Sequence, residues 1–225
     1  MIPQLNKFSL DFPHPNSANK DGIVDLNPSR LMRAYRQGIF PWYSHGDPIL
    51  WWSPNPRLIM DLDDFKLSKS LKKSMKKFTY KFDNAFEEVI RKCAQTPRKD
   101  QLGTWINDDV IEAYTQLYYM GEAHSVETYV DEKLVGGLYG VVVGKVFCGE
   151  SMFSHVSDAS KAAYAILLQH LKDWGYDFID CQVPTNHLKS LGAKEVSRDY
   201  FLQRLQHSNM DKIEHNWQIK PTSNT

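Results

Sequence analysis

Three side chains in the C-terminal half have the types and spacing for proton handling. Glu150 falls inside Val146-Phe147-Cys148-Gly149-Glu150-Ser151-Met152-Phe153, a run that reads as a buried strand. A carboxylate there needs a partner or a task, because water no longer solvates its charge. Asp180 and Gln182 stand two apart in Phe178-Ile179-Asp180-Cys181-Gln182, so on a strand both side chains leave one face. They also lie at the strand's C-terminal end, where α/β crevices form. Two carboxylates and an amide make a poor metal site, but they suit holding and deprotonating an amine. The plainer alternatives are a satisfied structural acid for Glu150 and edge-strand polarity for the other two. The chain has no phosphate-binding glycine loop, no HExxH and no GxSxG. His155 stands alone and reads as a surface loop residue. Without a dedicated nucleophile, the chemistry favoured is direct attack of one substrate on another, aided by positioning and charge.

The elements that would position these groups follow from periodicity and turn residues. Asn27-Pro28-Ser29 caps a helix that Gly38 stops. Two proline-aromatic segments follow, Gly38-Ile39-Phe40-Pro41-Trp42-Tyr43 and Trp51-Trp52-Ser53-Pro54-Asn55-Pro56-Arg57, which either plug a core or line a pocket. Across 65–82, lysines at 66, 69, 72, 73, 76, 77 and 81 surround Leu67, Leu71, Met75 and Phe78 at helical spacing, and a short strand through Tyr80 and Phe82 follows. This reads as an amphipathic basic helix, with either a solvated lysine face or a phosphate-backbone contact. Phe86–Cys93 and Asp108–Met120 are further helices. Alternation then predicts three antiparallel strands between 125 and 153, a helix over 158–174 capped by Ser157 or Asp158, and a strand at 178–182. A short helix at 187–191, a last strand at 201–205 and a loose polar tail of about 15 residues complete the chain.

That order describes an α+β fold: a mixed, mostly antiparallel sheet with flanking helices, one of them a right-handed crossover. The boundary between a small N-terminal domain (1–62) and a larger one (63–225) falls where the proline-aromatic region gives way to lysines. The 27 basic residues balance 27 acidic ones, which disfavours wholesale wrapping of nucleic acid but leaves room for a local basic patch. Cys93, Cys148 and Cys181 are odd in number and widely spaced, against a disulfide framework or a zinc site and in keeping with a reducing compartment. No apolar run approaches the ~18 residues of a membrane span, and Met1–Leu10 lacks a signal-peptide core.

Several blocks together resemble the leucyl/phenylalanyl-tRNA–protein transferases. They are Tyr35-Arg36-Gln37-Gly38-Ile39-Phe40-Pro41-Trp42, the Trp51–Arg57 segment, Gly103-Thr104-Trp105-Ile106, Gly149-Glu150-Ser151-Met152-Phe153-Ser154, Ile179-Asp180-Cys181-Gln182, and His187 with Ser190-Leu191-Gly192-Ala193. They run in order over almost the whole chain. The resemblance implies a GNAT-like C-terminal domain beside a smaller N-terminal α+β domain, in a cytoplasmic, monomeric enzyme. Such an enzyme moves leucine or phenylalanine, and methionine less well, from leucyl-, phenylalanyl- or methionyl-tRNA to proteins whose first residue is arginine or lysine, marking them for degradation. It implies no cofactor, no acetyl-CoA, no DNA and no membrane. The family's catalytic residues fall on Asp180, Gln182 and Glu150, with Asp180 attracting the amine proton and Gln182 orienting or relaying. Its substrate pocket falls on Trp42, Trp105, Met152, Leu167, Ser154 and His187. The tRNA contacts expected here are Lys66, Lys69, Lys73, Lys76, Lys77 and Arg36. The Val183-Pro184-Thr185-Asn186 turn departs from the family pattern.

Two other functions fit parts of the sequence. A CoA-dependent acyltransferase would need a glycine-rich turn before a helix for the pyrophosphate, and Phe153–Ser160 has none. A single-stranded RNA-binding module could use the lysines and tryptophans, but it would leave Glu150, Asp180 and Gln182 without a task.

Overall fold

The computed structural model describes residues 26–44, 46–96, 104–210, 213 and 217. The readings made for the N-terminal segment and for Gly103 lie outside these. Helix α1 (Pro28–Tyr35) starts as expected, the Asn27 side chain accepting from the Ser29 N–H at 2.9 Å. Gly38 ends the turn at φ +71°, and a Cβ there would meet Leu202 at 2.6 Å. Strands β1 (Phe40–Pro41) and β2 (Trp51–Trp52) make a small antiparallel sheet of their own. The remaining strands are β3 (Arg57–Asp61), β4 (Thr79–Phe82), β5 (Ala123–Val130), β6 (Lys133–Val143), β7 (Val146–Ser154), β8 (Phe178–Gln182) and β9 (Lys194–Val196). They form one sheet in the order β4-β5-β6-β7-β8-β3-β9. All its pairings are antiparallel except β7 with β8. The α+β class and the mostly antiparallel sheet are therefore as expected. The sheet already includes Arg57–Asp61, ahead of the expected boundary near 62.

Helices α3 (Phe86–Gln95) and α4 (Asp108–Tyr119) join α1 over one apolar core that includes Val89, Ile90, Tyr114, Tyr139 and Phe153. On a second core lies the crossover helix α5 (Ala159–Asp173), burying Ala163, Leu167, Leu168 and Leu171 with Leu138, Phe147 and Ile179. The lysine-rich helix is shorter than its periodicity suggests. Helix α2 covers only Lys69–Met75, Leu71 and Phe78 are buried, and Leu67 is 45% exposed. Asp158 does not cap α5: it sits at φ +68° and binds Ser74 and Lys161 instead. A short helix α6 (Asn186–Ser190) begins where Thr185 accepts from the Leu188 N–H.

Two sequence readings are corrected. Residues 201–205 are not a strand but the middle of α7 (Arg198–Ser208), which Ser197 caps. Phe201 and Leu205 are both buried at i, i+4 spacing, a helical period that so short an apolar window does not separate from a strand. The tail is not uniformly loose either: Trp217 is 7% exposed and packed in the second core.

Candidate active site

The two parallel strands pair only as far as Cys148 opposite Asp180, and a bulge follows in each. In β7, Ser151 faces Tyr139 and Gly149 faces Gly140, so Glu150 is the extra residue. In β8, Gln182 and Asp180 face consecutive residues of β3, so Cys181 is extra. Bulges bend a strand and re-aim its side chains, and here they part β7 from β8. Gly140 allows the bend, since a Cβ there would meet the Cys148 carbonyl at 2.3 Å. A cavity of about 780 Å³ opens at the gap. Leu138, Phe147, Met152, Tyr164, Ile179 and Cys181 give it apolar walls, Glu150 and Gln182 give it polar ones, and Trp42, Trp105 and His187 also line it.

Glu150 is the centre of a hydrogen-bond network. Gln182 Nε2 and the Tyr35 hydroxyl each donate to Glu150 Oε1 at 2.7 Å, and Tyr114 reaches Oε2 at 3.5 Å. The Tyr35 and Tyr114 hydroxyls are bonded to each other. Burial pushes the Glu150 carboxyl up to about 7, the negative Asp180 adding to the rise, while Tyr35, Gln182 and Arg57 restrain it. Burial and the Glu150 charge hold both phenols well above their usual range, so they remain donors.

Asp180 does not stand in the cavity wall. It is 1% exposed, and Arg57 Nε and Nη2 donate to its Oδ1 and Oδ2 at 2.8 and 2.6 Å. Arg57 Nη1 also donates to the Gly38 carbonyl, and its guanidinium lies over the Phe40 and Phe201 rings. Asp180 Oδ1 further accepts the Gln182 N–H at 2.9 Å. This holds Gln182 at φ +61°, outside strand geometry, with its side chain on Glu150. Asp180, expected to attract the amine proton, thus lies behind the cavity wall with both oxygens hydrogen-bonded to a buried guanidinium.

The other candidates separate in the same way. Trp42, Trp105, Met152 and His187 come together in the cavity lining with Glu150 and Gln182. Leu167 does not reach it: fully buried, it packs behind the wall with Leu138, Phe147 and Ile179. Ser154 is exposed, outside the lining, and its Oγ accepts from the Ser160 N–H at the start of α5. Lys66, Lys69, Lys73, Lys76, Lys77 and Arg36 are exposed. Burial and the charge of Lys161 lower the His187 imidazole. Lys161 in turn binds Asp158, which accepts from Ser74 of α2, so the lysine helix is linked to the cavity rim. The proline-aromatic segments divide between the two roles left open: Trp51 is core, and Trp42 is lining.

Sequence reasoning missed Arg57, Tyr35 and Tyr114. Arg57 carried a signal, a cation abutting the apolar run Leu58-Ile59-Met60, which must find a counter-charge if buried. Tyr114 carried none, since it falls on the apolar face of its helix.

A half-open, mostly apolar cavity with a hydrogen-bonded carboxylate on its wall has the form of a group-transfer enzyme's site. Residues 59–206 match the sequence model of the family described as leucyl/phenylalanyl-tRNA protein transferase, and 24–55 match its N-terminal domain. The chain is 67% identical over 223 residues to the leucyl/phenylalanyl-tRNA–protein transferase of Sulfurimonas denitrificans, covering 97% of this chain and 98% of that one. It is 52% identical over 212 residues to that of Nitrosospira multiformis, covering 91% of each. Among solved structures, a GCN5-related N-acetyltransferase-like protein from Streptococcus suis aligns at a TM-score of 0.37 and 16% identity, over 75% of this chain and 64% of that one. The chain belongs to the leucyl/phenylalanyl-tRNA–protein transferase family, and it is an aminoacyltransferase that uses aminoacyl-tRNA and protein acceptors. Among the described residues, no helix is long and apolar enough to cross a membrane.

Proposed function

We propose that this enzyme, a cytoplasmic monomer, transfers leucine or phenylalanine, and methionine less well, to the α-amino group of proteins that begin with arginine or lysine, marking them for degradation. The observation that carries this reading is the apolar chamber opening beside Glu150 and Gln182 between the parted strands. Its aliphatic and aromatic walls suit an uncharged side chain and reject charged ones by desolvation. Trp42 and Trp105 offer flat apolar faces to the terminal nucleotide or the acyl group. The lysines of α2 run on from the rim through Lys161 and suit the phosphates of the acceptor stem.

The ester on the tRNA 3′ end is already activated, so the step needs no ATP. Glu150, poised near 7, accepts a proton from the acceptor's ammonium group. The free amine attacks the ester carbonyl: a C–N bond forms, the C–O bond to the ribose breaks, and the amine's second proton passes to the departing ribose oxygen. Gln182 and Tyr35 hold the Glu150 carboxylate in place, and Asp180 acts through Gln182. The test is single-turnover peptide formation from leucyl-tRNA and a peptide beginning with arginine, against peptides beginning with alanine or aspartate. Equal transfer to all three peptides would remove the acceptor assignment, and equal transfer from aspartyl- and leucyl-tRNA would remove the apolar-chamber assignment.

A further inference from the structure

Phe147 lines the chamber, and a residue from the far end of the chain packs behind it. The Trp217 and Phe147 rings are 5.9 Å apart between centroids. Trp217 does not line the cavity. It stacks flat on His124 at 3.9 Å, with Trp174 at 5.0 Å and Phe82 at 5.9 Å around it. It also shares a side-chain hydrogen bond with Tyr176. His124 is itself fixed, Nδ1 lying 2.7 Å from Asp83 Oδ2 and Nε2 3.2 Å from the Gly121 carbonyl. The indole thus lies between a ring held by two hydrogen bonds and a ring of the chamber lining.

We propose that Trp217 is a positioning residue for substrate selection: it holds Phe147 as the end wall of the chamber and so sets the chamber's depth. Close-packed interiors transmit displacement, and shrinking a large buried side chain leaves a void into which neighbours relax only in part. A smaller residue at 217 lets Phe147 move back and lengthens the chamber. Glu150 and Gln182, on the bulged part of the strands, are not among the groups packed on Trp217. The ranking of apolar aminoacyl groups therefore changes, while the transfer step does not. The inference rests on the reading of the chamber as the aminoacyl pocket.

The test compares full-length Trp217→Leu, Trp217→Phe and Phe147→Leu with the parent, measuring kcat/KM for leucyl-, phenylalanyl- and tryptophanyl-tRNA with one arginine-led peptide. Leucine and phenylalanine replace Trp217 because both keep the site apolar. Trp217→Leu is expected to raise the tryptophanyl-to-leucyl ratio about tenfold, the scale on which apolar pockets discriminate size. Trp217→Phe is expected to raise it less, and Phe147→Leu in the same direction. A purely structural role would lower all three substrates together, and that outcome in either Trp217 variant overturns the proposal. If Phe147→Leu moves the ratio and neither Trp217 variant does, Trp217 is ordinary core. If none of the three moves it, the aminoacyl reading of the chamber falls, and the inference with it.

Discussion

Asp180 and Arg57 are joined by two parallel hydrogen bonds, Nε to Oδ1 at 2.8 Å and Nη2 to Oδ2 at 2.6 Å, with both residues 1% exposed. The pair ties three parts of the chain together. Arg57 reaches the Gly38 carbonyl after α1, and Asp180 reaches the Gln182 N–H at the end of β8. The pair thereby fixes the backbone at Gln182, whose side chain donates to Glu150.

Removing one member of the pair is expected to be costly. Asp180→Ala leaves a buried guanidinium without its counter-charge, a loss of about 3–5 kcal/mol, readable by urea denaturation. Replacing both partners, as in Arg57→Met with Asp180→Leu, is expected to recover much of that stability. Activity in Asp180→Asn falls through misplacement of Gln182, so the shape of the pH–rate profile stays. Parental stability with complete loss of a titrating limb would instead put Asp180 in the proton transfer.

Glu150 is expected to contribute to the pH response. Its folded carboxyl lies near 7, above the ordinary 4.5, so the folded state holds the proton more tightly than the unfolded one. Its contribution to stability is complete below about pH 4.5 and is lost as pH rises toward 7. Buried Glu127, also raised to about 7 by burial, has the same sign. Glu150→Gln is expected to flatten the fall in stability across that window in part, leaving the share of Glu127. The limb of the single-turnover rate near pH 7 is expected to vanish in the same variant. A retained limb assigns it to another group.

The exposed lysines of α2 and its C-cap make a separate expectation. Changing Lys69, Lys73 and Lys76 to glutamine is expected to weaken tRNA binding for every aminoacyl group alike. Each lost phosphate contact reduces the slope of log K against log salt by roughly 0.7–0.9. Filter binding at several salt concentrations measures both effects. A folded triple variant with the parental slope would place the tRNA elsewhere.

Discrimination among amino acids follows from the chamber's chemistry. Leucyl transfer is expected to exceed alanyl transfer by at least the ~10-fold to 200-fold that apolar contacts give per methylene-sized difference. Aspartyl transfer is expected to be lower still, because its charge would be desolvated without a partner. Competition between misacylated tRNAs checks the ranking.

Local order in the sequence carried much of this. The Asn27 cap, the Gly38 stop, the three antiparallel strands and the crossover helix follow from residue type and period alone, because capping and alternation are satisfied within a few residues. Residues 201–205 read as a strand because a five-residue window with three apolar residues has no clear period, and their helix is decided by the cap at Ser197 and by packing on Phe178. The sequence also marked Glu150, Asp180 and Gln182 as a group. What it could not divide were their roles. The two-residue period places Asp180 and Gln182 on one face, but a bulge is a matter of pairing with another strand, and it is the bulges that put Glu150 and Gln182 in the cavity and leave Asp180 behind it. Arg57, far away in sequence, claims Asp180 only once β3 lies beside β8. Burial and long-range pairing decide which carboxylate lines the cavity, and both exist only in the folded chain.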